Sequence, residues 1–328
     1  MTWREFAGTT TQWDDLVVRL GATTPFQLSG WSAFRQPFGW RSLRLTTTNS
    51  ATAAQILVKS VGPARVAWVP GGPLGGCSTE QLRELTAALR DHVGGVVTYL
   101  RVADHHAYDP NRVASFRDAG WSHCSASLGG SETLVRTLSQ STDVSSDLYS
   151  SNWSRNLRRG IQRDITASVW NSPDADVVAR MHREVEAAKE PFRAEWRGDS
   201  ESIQQLLNSF GDKLVMVLAQ DKNETPVAMR AAVVIGANAF DFLAATSNEG
   251  RKLYASNVAL DALLTALASR GITRYDFGGV DRTNNKGVFD FKHGAGGTDF
   301  TYTGEFETAM PRLAKPVISK LMSLRLSA

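Results

Sequence analysis

"YDFGGVDRTNNKGVFDFKHGAGG", Tyr275 to Gly297, sets six glycines around Lys292, which is flanked by Phe291 and His293. The approach "ITRYDFGG" (272–279) reads as a strand that runs into a Gly-Gly pair. There the backbone can take positive φ or come close to a ligand. "DRTNNK" reads as a polar loop. In "VFDFKHG" apolar and polar residues alternate, so the spacing predicts an extended segment with Val288, Asp290 and Lys292 on one face and Phe289 and Phe291 on the other. Ligands of open sheets gather off strand ends. On this reading Lys292 reaches past the glycines into a cleft, where an ammonium neutralises a phosphate or a developing oxyanion. A solvated lysine on an exposed strand is the alternative. His293 falls on the opposite face of such a strand and reads as structural or surface.

The pattern around this stretch is that of a mixed sheet. Upstream, "NVALDALLTALASRG" (257–271) is a helix ending at Gly271, and before it come three strand-like runs, "KLVMVLAQD", "PVAMRAAVVIG" and "AFDFLAATS". Helices are expected over "PDADVVARMHREVEAAKE" and "DSESIQQLLNSF". "DLYSSNWSRNLRRGI" places Leu148, Trp153, Leu157 and Ile161 on one helical stripe, with arginines opposite. The first half runs in a similar order. A helix over "TTQWDDLVVRLG" and a short one in "FQLSGWSAFRQPFGW", broken at Pro37, precede the strands "SLRLTTT", "TAAQILVKSV" and "RVAWVPG". The loop "GGPLGG" follows, then a helix opened by the capping-box pair Ser78 and Gln81, then the strand "GVVTYLRV". Two related α/β domains with mixed central sheets are therefore expected, over residues 1–145 and 146–310. The polar stretch "LSQSTDVSS" (138–146) is the candidate boundary.

Composition narrows the class. With 42 % apolar and 21 % charged residues the chain is typical of soluble globular proteins. No run of about eighteen apolar residues suggests a membrane span, and no apolar core behind Arg4 and Glu5 suggests export. Cys77 and Cys124 are too few for a disulfide framework and lack metal-ligand spacing, so no metal site is expected and a reducing cytoplasm is. Net charge is only +3, but the cations cluster. "RNLRRGIQR" (155–163) holds four arginines and no acid, and the tail "PRLAKPVISKLMSLRLSA" adds Arg312, Lys315, Lys320 and Arg325. Such patches suit nucleic acid or phosphorylated ligands.

Several fragments, in order, resemble the FemABX family, whose members transfer an amino acid from aminoacyl-tRNA to a peptide amine. Gly271, "YDFGG", Gly287 and "FKHGAGG" are similar to the family's C-terminal pattern. "PFQLSGWSAFRQPFGW", "VPGGPLGG" and "SSNWSRNLRRGIQRDITASVW" are similar to earlier family segments. Three departures stand out: Arg35 replaces a family lysine, Ala295 replaces an aromatic, and no long charged heptad pair is inserted, so the likeness is to members without a coiled-coil arm.

The resemblance implies two acetyltransferase-like domains, with the C-terminal helix (311–328) packed back on the first. It implies aminolysis of an ester, with no metal or redox cofactor and aminoacyl-tRNA as co-substrate. Lys292 would stabilise the oxyanion or the leaving oxygen, and Phe291 would shape the pocket for the terminal adenosine. Arg35 falls where members contact the acceptor's diphosphate, Arg193 in "EPFRAEW" where they make a second acceptor contact, and Tyr254 in "RKLYASN" at a tyrosine facing the cleft. Asp104, after the strand "VTYLRVA", is a candidate proton acceptor, with a turn or cap aspartate as the alternative. Arg155, Arg158 and Arg159 would lie on the tRNA backbone. The expected protein is a cytoplasmic monomer whose acceptor is a peptidoglycan precursor or a peptide-type natural product. A CoA-dependent N-acyltransferase is the rival enzyme, although "RRGIQR" lacks the second glycine of a pyrophosphate turn. A non-catalytic tRNA- or peptide-binding protein is the rival from another class.

Overall fold

The structure is a computed structural model that describes residues 2–125, 127–139, 148–186, 198–316 and 318–320. The chain opens with β1 (Trp3–Glu5), α1 (Thr10–Arg19) and α2 (Ser29–Arg35). β2 (Arg41–Thr47), β3 (Thr52–Val61), β4 (Ala64–Pro70) and the short β5 (Leu74–Gly75) follow. α3 (Thr79–Val93) leads to β6 (Val97–Ala107), α4 (Pro110–Asp118), β7 (Ser122–His123) and β8 (Glu132–Thr137). α5 (Ser151–Gln162), β9 (Thr166–Val169), α6 (Ala175–Glu186) and α7 (Ser200–Phe210) precede β10 (Leu214–Gln220), β11 (Pro226–Ile235) and β12 (Asn238–Thr246). α8 (Asn248–Lys252), α9 (Ala255–Ser269), β13 (Arg274–Gly279), α10 (Lys286–Gly294) and β14 (Thr298–Met310) complete the order.

The chain forms two compact units, residues 1–133 with 300–328, and residues 134–299. These bounds differ from 145/146 and 310/311 because the chain passes from one unit to the other inside β8 and again inside β14. Hydrogen-bonded strands, not polar linkers, carry both crossings. The expected boundary stretch lies largely outside the described residues.

In the first unit β2, β3 and β4 run antiparallel in succession, α3 crosses over, and β6 returns parallel to β4. β14 then pairs antiparallel with the free side of β6. Alternation in the strands turns Leu43, Leu45, Ile56, Val58, Ala67, Val69, Leu100 and Val102 into one buried cluster with Leu82, Leu85 and Leu89 of α3. α3 starts where expected: the Ser78 side chain accepts from the Gln81 N–H, and Gln81 accepts from the Ser78 N–H at 2.8 Å.

A buried ion pair ties β6 to β14. The Arg101 guanidinium grips the Glu305 carboxylate, and both are almost wholly out of water. Burial works against the Arg101 charge, but Glu305 outweighs it and holds the guanidinium protonated more firmly than usual. The other carboxylate oxygen accepts from Ser127 Oγ at 2.6 Å and from the N–H groups of Leu128 and Gly129 at 2.9 Å each. After Met310 the chain stays on this unit. Lys315 donates to Ser122, and Ser319 donates to Glu307 at 2.6 Å. The last eight residues of the expected C-terminal helix lie outside the described residues.

The second unit has the same order. β10, β11 and β12 are antiparallel neighbours, α9 crosses over, and β13 lies parallel to β12. β9 adds an antiparallel edge to β10. Leu260, Leu263, Leu264 and Leu267 of α9 are fully buried against Val215, Val217 and Ala232. Gly160 lets α5 lie close to α9: a Cβ there would sit 2.6 Å from Val258 Cγ2. Among the described residues the longest helices, α3 and α9, have 15 residues. None is long and apolar enough to cross a membrane.

Two local expectations are corrected. "VFDFKHG" is not extended but forms α10: Lys286–Asp290 and Phe289–His293 pair one turn apart, and Phe289 and Phe291 are half-buried against the core of the unit. The stripe on α5 is narrower than expected. Trp153 is buried and Leu157 half-buried, whereas Leu148 precedes the helix and Ile161 faces solvent.

Arg101→Ala should lower stability by about 3–5 kcal/mol, since it strands a buried carboxylate. Arg101→Met with Glu305→Leu should recover little, because Ser127, Leu128 and Gly129 then lose their acceptor. Urea denaturation of both variants checks this.

Candidate active site at the end of strand β13

The site begins at the end of β13, which lies between β8 and β12 in the sheet. β13 pairs with β12 only through Arg274, Tyr275 and Asp276, against Asn238, Ala239 and Phe240. Beyond that point the strand has no ladder partner in β12, and its last residues are glycines. Tyr275 and Phe277 are buried with rings perpendicular at 4.9 Å. Asp276, fully buried, accepts the Gly278 N–H at 2.9 Å and Arg274 Nη2 at 3.3 Å. Gly278 sits at φ +69, a conformation that favours glycine, and lies against the Asp241 carbonyl. Asp281 then builds the turn into α10, accepting the N–H groups of Thr283 at 3.0 Å and Asn284 at 2.7 Å. Those hydrogen bonds hold its carboxyl below the usual range.

The helical geometry of α10 turns Lys292 inward. The residue is 9 % exposed, and its Nζ donates to the Gly279 carbonyl at 3.0 Å and lies 3.4 Å from that of Gly278. An ammonium so far out of water requires oxygen partners, and the two glycine carbonyls supply them. The solvated-strand alternative is therefore excluded. His293, expected across a strand, instead stacks on Phe289 at 5.6 Å along the outer side of the helix.

Phe291 is half-buried, 6.0 Å from the Trp153 ring and 5.5 Å from the Arg230 guanidinium. Arg230 grips Asp241 bidentately, with Nε to Oδ1 at 3.0 Å. Burial opposes the Arg230 charge, but Asp241 more than compensates and shifts the guanidinium upward. Neither residue belongs to a motif, so sequence reasoning missed them. The signal was present: Arg230 interrupts "PVAMRAAVVIG", Asp241 interrupts "AFDFLAATS", and lone charges in adjacent apolar strands imply a buried pair.

The glycines after Lys292 serve the chain's own packing. A Cβ at Gly294 would meet Ser150 Oγ at 3.1 Å, at Gly296 Leu148 at 3.0 Å, and at Gly297 the Lys292 carbonyl at 2.8 Å. Ser150 N donates to the Gly294 carbonyl at 2.9 Å and Arg136 to that of Ala295 at 2.6 Å. Ala295 is fully buried. The end of α10 is thus clamped on several sides, which fixes where Lys292 starts.

The other expected site residues are placed as follows, each within its own unit. Arg155, Arg158 and Arg159 are exposed on α5. Tyr254 caps α9 at φ 60, with its hydroxyl 3.3 Å from Arg159 and its ring 5.1 Å from Arg163. Arg193 lies outside the described residues. Arg35, in the first unit, is 7 % exposed and enclosed by Trp31, Phe38 and Trp40 at 5.5–5.6 Å. Asp104, in the same unit, is fully buried. Burial disfavours its charge, but His106 Nδ1 at 2.7 Å and Arg112 outweigh this and hold the carboxyl below its ordinary value. Arg112 also donates to the carbonyls of Pro73, at 2.9 Å, and Gly75, at 3.2 Å, so Asp104 anchors the "GGPLGG" loop. Burial pushes the Cys77 and Cys124 thiols up to about 12, which leaves neither as a thiolate nucleophile.

Residues 183–321, which carry both "YDFGG" and "FKHGAGG", match the FemAB family model, and the resemblance read from those motifs is borne out. The crystal structure of FemX superposes with a TM-score of 0.80 at 14 % identity, covering 94 % of this chain and 97 % of that one. L-PGS from Bacillus licheniformis gives 0.57 at 12 % identity over 93 % and 97 %. A tandem GNAT protein from the clavulanic acid biosynthesis pathway gives 0.57 at 12 % identity over 94 % and 98 %. At such identities these likenesses show the fold, which is the acetyltransferase type expected. A search of curated proteins found no match.

Gly297→Ala should cost about 1–3 kcal/mol by pushing on the Lys292 carbonyl and Leu134. Gly287→Ala, in open space on the same helix, should be neutral or stabilising by up to about 1 kcal/mol. Thermal melts of the two variants distinguish these outcomes. Asp104→Asn tests the loop anchor through pH. A depressed folded pKa stabilises the protein above the ordinary carboxylate range, and this contribution is lost as pH falls through the folded value. The variant should therefore be less stable than wild type at neutral pH, and urea midpoints should converge in acid.

Proposed function

We propose that this protein is an aminoacyltransferase that moves an amino acid from aminoacyl-tRNA to an amine of a peptide-like acceptor. The observation that carries this reading is the seat of Lys292: a lysine on FemAB-type sequence, desolvated, aimed by the Gly278 and Gly279 carbonyls and set beside Phe291. In the reaction the acceptor nitrogen attacks the ester carbonyl. The C–N bond forms, the C–O bond to the ribose breaks, the amine loses a proton and the ribose oxygen gains one. The ester is already activated, so positioning supplies much of the rate. Lys292 stabilises the charge that develops on the carbonyl or leaving oxygen, Phe291 flanks the ribose-bearing terminus, and the arginines of α5 hold the RNA backbone.

Two observations weigh against CoA chemistry. The first-turn N–H of Gln81 in α3 is already capped by Ser78. The β12–α9 connection is filled by α8 and Tyr254 rather than by a glycine turn.

The acceptor proposed first is a peptidoglycan precursor. A peptide-type natural product is the second reading, favoured by Arg35: its guanidinium stacks among three rings, a setting that suits a structural cation better than a diphosphate contact. Mass spectrometry of products formed from charged tRNA, from uncharged tRNA and from acetyl-CoA tests the reaction class. Amide formation only with charged tRNA is expected. Lys292→Ala should lower turnover by about a hundredfold or more while changing acceptor KM little. Lys292→Arg should recover little of it, since a planar fork cannot replace a compact ammonium. Near-normal turnover with a raised KM would make Lys292 a binding residue.

A further inference from the structure

The first unit leaves apolar side chains in water at one end of its sheet. Among the described residues Leu313 and Val96 are the most exposed large apolar side chains, at 91 % and 80 %, and Val61 is 48 % exposed. Register brings the three together. β3, β4, β6 and β14 are consecutive neighbours in the sheet. Val61 pairs with Ala64 across the β3–β4 hairpin, Ala64 pairs with Val97, and Thr98 pairs with Met310. The hairpin tip at Gly62 and Pro63, the α3–β6 turn that carries Val96, and the exit from β14 toward Leu313 therefore stand side by side. Arg65 ties the first two. Its Nη1 donates to the Gly62 carbonyl at 3.4 Å and to that of Ala64 at 3.2 Å, and a Cβ at Gly95 would lie 2.8 Å from its Cγ. The charge around these turns is mostly of one sign. Segments 58–66, 90–98 and 310–316 hold Lys59, Arg65, Arg90, Arg312 and Lys315, with Asp91 as the only acid. Arg90 and Arg312 are exposed. Asp118, two residues before the Gly120 on which Arg312 rests, faces Arg117 at 3.7 Å.

We propose that this end of the first unit docks on an anionic membrane surface. Val61, Val96 and Leu313 enter the boundary between headgroups and acyl chains, and the flanking cations meet lipid phosphates. Exposed apolar side chains gathered at one place mark an interaction surface. The core of a protein interface is depleted of charge, whereas here cations flank every apolar turn. The three side chains also stand on separate turns instead of lining a groove, which suits a fluid phase better than the fixed relief of a folded partner. Apolar burial and attraction to anionic lipid together set the strength of such a contact. Each cation near the surface strengthens it by about fivefold. β4 and β6 both run away from this end, so docking leaves the loop at 71–76 clear of the lipid. Docking here does not depend on the transfer reading.

Flotation of the full chain with vesicles tests the surface. The protein should float with vesicles of equal parts phosphatidylcholine and phosphatidylglycerol, and far less with phosphatidylcholine alone. High salt should release it. Val96→Asp and Leu313→Ser should each weaken partitioning by about tenfold. Arg90→Gln and Arg312→Gln should each weaken it by about fivefold. All four side chains face solvent, so melting temperatures should not change. Ile161→Asp, at the exposed apolar residue of the basic helix α5, should float as wild type. A wild type that stays off the anionic vesicles would overturn the proposal by denying a lipid contact. Flotation indifferent to Val96 and Leu313 but lost in Ile161→Asp would overturn it by moving the contact to α5. A dimer in sedimentation equilibrium that Leu313→Ser dissociates would overturn it by assigning the apolar turns to a second copy of the chain.

Discussion

An ammonium withdrawn from water must find oxygen, and Lys292 finds it in the carbonyls of Gly278 and Gly279. Much of the second unit serves that contact. β13 must part from β12 after Asp276, and Asp276 must tie the strand end by taking the Gly278 N–H. α10 must be a helix, because only a turn-wise spacing brings Lys292 inward while Lys286 and Asp290 pair outside. Its far end must be fixed, and Gly294, Gly296 and Gly297 allow the clamp by leaving no side chain in the way. The glycines that draw the eye in the sequence therefore divide into two sets. One set offers carbonyls to the lysine, and the other lets the backbone close behind it.

The first unit shows what the same architecture looks like without this contact. The helix after its parallel strand also carries an aromatic followed by a cation, Phe116 and Arg117. Phe116 is fully buried and stacked flat on Phe306 at 4.1 Å, and Arg117 is largely exposed beside Asp118. The equivalent strand, β6, ends in His105, His106 and Ala107 and has no glycine carbonyls to offer. One unit packs its aromatic. The other seats a lysine.

Much of this was legible in the sequence. The strand–helix–strand order of both units, the Ser78–Gln81 cap and the glycine stops followed from local chemistry, because period, cap and turn residues all agreed. The misreadings share a cause. "VFDFKHG" alternates as a strand does, and only the packing of Phe289, Phe291 and Lys292 reveals the helix, so a seven-residue window could not decide. Arg230 and Asp241 are separated by a turn and fit no motif, and their pairing is a property of register. Arg163 stood in the quoted basic run, but its partner Tyr254 is far away in sequence, and only the close approach of α5 to α9 joins them.

β14 has a consequence for how the protein is made. It supplies the second neighbour of β6 along the paired stretch from Tyr302 to Met310, and it carries Glu305 to Arg101. While the ribosome is still translating the second unit, β6 has one bare edge and Arg101 no carboxylate. The first unit therefore cannot be finished when its own first 133 residues have emerged. The usual vectorial order, N-terminal unit first, is replaced by one in which the last strand translated completes both the sheet and its charge balance. Until β14 emerges, the nascent chain carries an unpaired edge on β6.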